Sequence, residues 1–209
     1  MEPSVLFFNE DSDNTSQYKE VLDCFQNIKP LKSVNGIIKK ILYINSFHLR
    51  LSIIHQYGFA IPCVEAIESV VKLSPCIEIG CGSGYWSKLI KENGGDIIAT
   101  DKIMGEKSKY SKEWENEAIE TLDAEKAIEK YSDRNVLLSW PCYSKNWAAK
   151  SISKIKPGKF LIFIGEDIGG CCANDTFFEI LDKDFELKEE IRIPQWFGIH
   201  DIMRIYRKK

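Results

Sequence analysis

Long apolar runs are missing from this chain of 209 residues. None approaches the ~20 consecutive apolar residues that a membrane-spanning helix needs, so we expect no membrane association. The N-terminal residues 1–15 are acidic and carry only a short apolar patch, which does not match a secretory leader. Hydrophobic residues make up 44% of the chain and charged residues 28%, a mixture typical of a globular protein.

A strong net charge and metal-binding patterns are also missing. The formal net charge is −3, so the overall charge does not favour nucleic acid or an anionic membrane as a partner. The three histidines, at positions 48, 55 and 200, form no zinc signature. The seven cysteines are an odd number, and the adjacent pair Cys171-Cys172 does not have metal-ligand spacing. We therefore expect no metal and a reduced, cytoplasmic protein.

The third glycine of the dinucleotide-binding fingerprint is missing as well. That fingerprint needs a glycine where Tyr85 stands, but here glycines occupy positions 80, 82 and 84. An apolar run precedes this turn, and apolar residues at helical spacing follow it. A second apolar run begins at Ile97 and ends in Asp101. Residues 76–101 are therefore predicted to form one βαβ unit.

Each part of this unit suits a ligand that contains a nucleoside. Glycine lets the backbone take a positive φ and approach a ligand closely. The turn leads into a helix N-terminus, where unpaired N–H groups favour negative charge. A carboxylate at the end of the next strand, here Asp101, is able to accept hydrogen bonds from a ribose diol.

The run from Glu78 to Gly84, read with Asp101, resembles the first motif of class I S-adenosylmethionine-dependent methyltransferases. The resemblance implies S-adenosylmethionine as cofactor and S-adenosylhomocysteine as product. It places the glycine turn beside the methionine part of the cofactor and Asp101 on the ribose. Asp123, followed by Ala124, would read the adenine amino group; alternatively, Asp123 only caps the next helix. The expected cofactor-binding residues are Glu78, Gly80, Gly82, Gly84, Asp101, Asp123, Ala124, Ser139 and Trp140.

The order of predicted elements indicates an α/β fold. Helices alternate with strands, which implies a mostly parallel, doubly wound sheet, and no helix separates the last two strands, which should pair antiparallel. Seven strands with a reversed last strand resemble the class I methyltransferase arrangement. We expect this Rossmann-like domain at 57–209, an N-terminal arm and helical extension at 1–56, and a loop or lid at 102–117 that contains Tyr110 and Trp114.

A tetrapeptide after the fourth strand points toward the acceptor. Residues 140–143, Trp-Pro-Cys-Tyr, resemble the (Asp/Asn/Ser)-Pro-Pro-(Tyr/Phe) motif of amino-group methyltransferases. Trp140 takes the polar position, and tryptophan cannot accept a hydrogen bond from an amine. Methylation of an exocyclic base amine is therefore in doubt, and a structural aromatic turn is the alternative. Together with the C-terminal Trp-Phe-Gly-Ile-His-Asp segment, the tetrapeptide resembles a little-characterised group of methyltransferase-like proteins, which implies a fold and a cofactor but no substrate.

Catalytic side chains are expected where the strands end. His200 is the candidate base by its ordinary pKa, with Asp201 or Glu166 as its orienting partner and Tyr143 stacking on the acceptor. We predict the seventh strand at 199–206, so that His200 and Asp201 are among its first residues. The alternative is that His200 is a half-buried strand histidine. The candidate substrate-binding residues are Tyr57, Tyr85, Trp86, Pro141, Trp196 and Phe197, although some of these aromatic residues must belong to the core. Phe59 is a further candidate cover for the ligand.

Three functions remain open. The first is a methyltransferase that acts on a small molecule or a protein side chain. The second is a nucleic-acid base methyltransferase, which would use the lysines of 145–159 and the basic C-terminus. The third is a non-catalytic cofactor-binding scaffold that docks through its helical region at 16–55.

Overall fold

The computed structural model describes residue 54 and residues 57–102, 118–196 and 198–209. The predicted N-terminal helices, the lid with Tyr110 and Trp114, and Phe197 lie outside these residues. In chain order, the described helices and strands are α1 (Val64–Lys72), β1 (Cys76–Ile79), α2 (Tyr85–Glu92), β2 (Ile97–Asp101), β3 (Ile119–Thr121), α3 (Ala124–Lys130), β4 (Asn135–Ser139), α4 (Trp147–Ser153), β5 (Phe160–Gly165), α5 (Asp175–Asp184), β6 (Phe185–Arg192) and β7 (Ile202–Lys208).

The strands form one seven-stranded sheet in the order β3-β2-β1-β4-β5-β7-β6. The first five strands in this order run parallel, whereas β7 pairs antiparallel with both β5 and β6. This arrangement confirms the predicted doubly wound α/β fold with a reversed last strand. The order reverses at β1, from which the chain proceeds first to β2 and β3 and then to β4. Ligands bind open α/β sheets at such a switch point, beyond the carboxyl ends of the strands.

Both faces of the sheet are covered by helices. The side chain of Leu137 packs with α1 and α2 in one apolar cluster. Its neighbours Val136 and Leu138 pack with α3, α4 and α5 in the other. Successive residues of a strand point to opposite faces, so an unbroken apolar strand is what a sheet buried on both sides requires.

The predicted start of the last strand is wrong. β7 begins at Ile202, not at residue 199, so His200 and Asp201 belong to the loop before it. The backbone N–H of Ile199 donates to Trp196 O, and that of His200 donates to the Glu166 carboxylate. Because these N–H groups bond within the loop and to the Glu166 side chain, residues 199–201 do not continue the backbone pairing of β7 with β5. The loop still lies at the edge where β1, β2, β4 and β5 end.

A ring cluster on the α5 side tests this core. Phe163 is fully buried, and its ring centroid lies 5.1 Å from that of Phe177. We expect Phe163→Ala to lower the free energy of unfolding by about 3–5 kcal/mol, because the truncation leaves a cavity in a packed interior. Leu187→Ala on the exposed side of β6 is the control and should stay within about 0.5 kcal/mol of the wild type. Urea denaturation measures both, and equal losses would contradict this core.

Candidate functional site

The turn between β1 and α2 is built from three glycines in the left-handed region. Their φ angles are 65° at Gly80, 58° at Gly82 and 77° at Gly84. A Cβ at Gly80 would lie 2.9 Å from the ring of Trp147, and one at Gly84 would lie 2.9 Å from Ile119 Cδ1. The left-handed conformation therefore favours glycine at both positions, and the close approach of the Trp147 ring adds to this requirement at Gly80. Gly84 is the N-cap of α2, so the turn delivers the chain into a helix N-terminus.

The end of β2 holds this turn in place. The backbone N–H of Gly82 donates to Asp101 Oδ2 at 2.9 Å, and the N–H of Cys81 donates to Thr100 O at 3.0 Å. Asp101 is half-buried at the last position of β2. The predicted acid and the predicted glycine turn are thus brought together, with the carboxylate against the backbone of the turn.

Glu78 is the buried acid of the site. Its Oε2 accepts hydrogen bonds from the Ser87 backbone N–H at 3.1 Å and from the Ser87 hydroxyl at 2.5 Å. Burial raises the pKa of Glu78 to about 7, although the two bonds from Ser87 act in the opposite direction. The carboxyl group is thus attached to the first turn of α2, and it titrates near neutral pH. Glu78 was predicted as a site residue, whereas Ser87 was not, because nothing in the local sequence pattern links positions nine residues apart.

A cavity that is partly open to solvent lies beside the turn. It is lined by Tyr57, Gly58, Phe59, Glu78, Gly80, Cys81, Gly82, Ser83, Tyr85, Trp86, Ser139 and Trp140. The structure therefore gathers most of the predicted cofactor contacts and three of the predicted substrate contacts (Tyr57, Tyr85 and Trp86) around one space. Two further lining residues, Cys81 and Ser83, were not predicted as site residues. They are the variable positions of the glycine motif itself.

The thiol of Cys81 is not suited to nucleophilic chemistry. Burial, helped by the nearby acids Glu78 and Asp101, raises the pKa of Cys81 well above its ordinary value. The thiol therefore stays protonated at neutral pH, whereas a cysteine nucleophile must act as the thiolate.

Trp140 occupies an unusual position at the end of β4. Its φ is 50°, a left-handed conformation that is rare for a bulky residue. Its backbone N–H donates to Ile164 O at 2.8 Å, and its indole N–H donates to Asp201 Oδ1 at 2.8 Å. Its ring is stacked on that of Phe59, with centroids 5.0 Å apart. Amino-group methyltransferases carry a hydrogen-bond-accepting side chain at this position. This chain instead has the stacked rings of Trp140 and Phe59, which form an aromatic wall.

A second group of predicted residues lies where β5 ends. Glu166 Oε1 accepts a hydrogen bond from the His200 backbone N–H at 2.9 Å and lies 3.5 Å from His200 Nδ1. Its Oε2 accepts from the Cys171 N–H at 2.8 Å. Burial by itself would raise the pKa of Glu166, but these backbone bonds outweigh it and lower the pKa overall. Glu166 is thus an ionised carboxylate that contacts His200, whose imidazole is exposed. That His200 acts as a base, with Asp201 assisting it, stays a prediction.

The remaining predicted residues fall into two places. Asp123 caps α3 by accepting from the Glu125 N–H at 3.2 Å, with Ala124 as the first helical residue; its contact with adenine stays a prediction. Pro141 is buried and accepts from the Ala173 N–H at 2.8 Å, whereas Tyr143 is exposed.

Trp196 contacts the segment that carries Phe59 but does not line the cavity. Its side chain is buried, and its indole N–H donates to Phe59 O at 2.9 Å. The side chain is absent from the cavity lining, so Trp196 holds the segment that carries Phe59. A direct contact between Trp196 and a substrate stays a prediction.

Within the described residues, no cluster of three or more histidine, cysteine or acidic side chains could hold a metal ion. No helix in the described part of the chain is long and apolar enough to cross a membrane.

Comparison with known proteins identifies the fold. No protein-family model and no curated protein matches the sequence. Among solved structures, magnesium protoporphyrin IX methyltransferase from Synechocystis PCC 6803, crystallised with bound S-adenosylmethionine, is 15% identical with a TM-score of 0.51, covering 97% of this chain and 100% of that one. A Burkholderia thailandensis 1,6-didemethyltoxoflavin-N1-methyltransferase with bound S-adenosylhomocysteine is 11% identical with a TM-score of 0.49, covering 87% and 93%. At such identity the first likeness shows the fold alone, which is that of class I methyltransferases.

The buried acid makes stability depend on pH. Between the ordinary glutamate pKa of 4.5 and the folded value of about 7, the folded chain keeps the Glu78 proton that the unfolded chain releases. The free energy of unfolding contributed by this group therefore falls as pH rises through this window, by about 3 kcal/mol, and is constant above it. Glu78→Gln removes the titration, so its stability relative to wild type should increase by that amount between pH 4.5 and 7.5.

Denaturant unfolding at these two pH values measures the difference. Ser87→Ala is the companion variant, and it should extend the window to higher pH because it removes a bond that lowers the Glu78 pKa. A difference between Glu78→Gln and wild type that does not change with pH would contradict the assignment.

Proposed function

We propose that this chain is an S-adenosylmethionine-dependent methyltransferase that acts on an unidentified small molecule or protein side chain. The observation that carries the proposal is the left-handed glycine turn, fixed by Asp101 at the switch point of the sheet and opening onto the cavity. Such a turn lets a ligand approach the backbone closely, and the neighbouring carboxylate suits a ribose diol.

The residues present fit this cofactor better than a dinucleotide. Tyr85, where the dinucleotide fingerprint has its third glycine, is buried at the start of α2 and packs edge-on against Tyr57 at 5.2 Å. That third glycine serves close packing of helix on strand, whereas this chain carries a large buried side chain at that position. Asp101 would hold the ribose, Asp123 the adenine end, and the turn with Glu78 the amino-acid end.

The protein's part in the reaction is positioning. The cofactor supplies an electrophilic methyl group on a sulfonium. The chain binds and orients this group and aligns the acceptor in line with it. Glu166, an ionised carboxylate against His200, orients the imidazole, which would take the proton from an acceptor that must be deprotonated.

The nucleic-acid alternative has less support. The indole N–H of Trp140 is a donor bonded to Asp201, so this side chain does not accept a hydrogen bond from a base amine. Three lysines of the proposed basic face are engaged with neighbours: Lys154 with Glu129, Lys156 with Ser132 and Lys159 with Asp133 O. We therefore place a small molecule or a protein side chain ahead of nucleic acid as the acceptor.

The cofactor assignment is tested by thermal unfolding with S-adenosylmethionine and, separately, with NAD. At 100 times Kd, a ligand that binds only the folded state adds about 2.7 kcal/mol, which should raise the midpoint by roughly 5–10 °C for a domain of this size. We expect this rise with S-adenosylmethionine alone, and we expect Asp101→Ala to abolish it because the ribose contact is lost.

Asp182→Ala, which removes an exposed acid on α5, is the matched control and should keep the full rise. A rise with NAD instead, or a full rise in Asp101→Ala, would contradict the proposed cofactor site.

A further inference from the structure

The cavity is lined largely by aromatic side chains. Five of the lining residues are aromatic, namely Tyr57, Phe59, Tyr85, Trp86 and Trp140. Among the lining residues that the structure describes, Glu78 is the one acid, and none is a lysine, arginine or histidine. Aromatic faces carry negative electrostatic potential, and rings gathered around a space attract organic cations. The lining is therefore suited to a positively charged group.

We propose that this aromatic wall favours the cationic sulfonium of S-adenosylmethionine over the neutral thioether of S-adenosylhomocysteine, with Trp140 as the recognising ring and Asp201 as its positioning residue. The inference rests on the proposed function, since it presupposes that this cofactor binds in the cavity. It concerns discrimination between two charge states of the ligand, which the fold by itself does not imply.

Trp140 is held in one orientation by several contacts. The left-handed backbone is a costly conformation for such a residue, and it persists because the surroundings fix it. The backbone N–H bonds to Ile164 O, the indole N–H bonds to Asp201, and the ring stacks on Phe59 with planes only 14° apart. An ordered ring attracts a cation at a smaller entropic cost than a mobile one.

The hydrogen bond to Asp201 also alters the electronics of the ring. A carboxyl oxygen that accepts the indole N–H draws the proton outward and leaves more electron density on the ring, because hydrogen-bonded groups in a low-dielectric interior polarise one another. Asp201 is fully buried, so water does not screen this effect. The result is a ring face more attractive to a cation.

The loop before β7 holds both rings of the stacked pair. Asp201 binds Trp140, and Trp196 binds the backbone of Phe59. Gln195 Nε2 donates to Asp201 O at 2.9 Å, which ties the two ends of the loop together. Gln195, Trp196 and Asp201 thus act together to support the wall.

Methyl transfer changes the charge that this wall meets. The bond between sulfur and methyl carbon breaks, a bond between that carbon and the acceptor forms, and the electron pair stays on sulfur. The sulfonium becomes a neutral thioether, so the attraction to the rings is lost at the step that makes product. The wall would thereby assist exchange of product for fresh cofactor.

The test is calorimetric titration of the full chain with three ligands. These are S-adenosylmethionine, S-adenosylhomocysteine and sinefungin, an analogue that keeps a positive charge in place of the sulfonium. Trp140→Leu should weaken binding of the two cationic ligands about tenfold more than binding of S-adenosylhomocysteine. Asp201→Asn keeps an acceptor oxygen and should shift this ratio in the same direction but less. Tyr131→Leu, at a half-buried aromatic residue outside the cavity lining, should leave the ratio unchanged.

The outcomes separate the two claims. Equal weakening of all three ligands by Trp140→Leu would make the ring a structural support and overturn the inference while leaving the proposed function intact. If wild type binds none of the three, both fail. Circular dichroism checks that each variant is folded. If Trp140→Leu is not folded, Trp140→Phe replaces it: this variant keeps a ring but loses the bond to Asp201, and an unchanged ratio in both it and Asp201→Asn would overturn the role of Asp201.

Discussion

The hydrogen bond from the Gly82 N–H to the Asp101 carboxylate is the contact on which the site depends. It joins the end of β2 to the turn after β1 and keeps three left-handed residues in one shape. Together with the bond from the Cys81 N–H to Thr100 O, it fixes the position of the turn relative to this acid. Glu78 also stabilises the turn, because its bonds to Ser87 attach the end of β1 to the first turn of α2. Asp101 and Glu78 thus both hold the turn in place.

The opposite wall of the cavity depends on a different part of the chain. The loop before β7 reaches across the sheet edge, where Asp201 fixes Trp140 and Trp196 fixes the segment of Phe59. The large aromatic residues at this edge of the sheet therefore have two different roles. Some of them form the wall, as Trp140 does, and others, such as Trp196, hold the wall in place. The polar edge at Glu166 and His200 lies beside the same loop.

Much of the fold was predictable because it rests on local patterns. The alternation of predicted helices and strands indicated the doubly wound sheet, and the glycine spacing indicated the turn. The start of β7 was not predictable, because the alternating pattern of the strand continues back to Ile199. The backbone N–H groups of Ile199 and His200 instead donate to Trp196 O and to the Glu166 carboxylate. The link between Trp140 and Asp201 was beyond sequence reasoning, because it joins residues 61 positions apart that only the sheet order brings together.

The most direct test of the cofactor site is a crystal structure of the chain grown with S-adenosylhomocysteine. The account predicts ligand density over the glycine turn, with both ribose hydroxyl groups within hydrogen-bonding distance of the Asp101 carboxylate and the sulfur facing the aromatic wall. Ligand bound elsewhere on the chain, with the turn and Asp101 making no contact to it, would contradict the account.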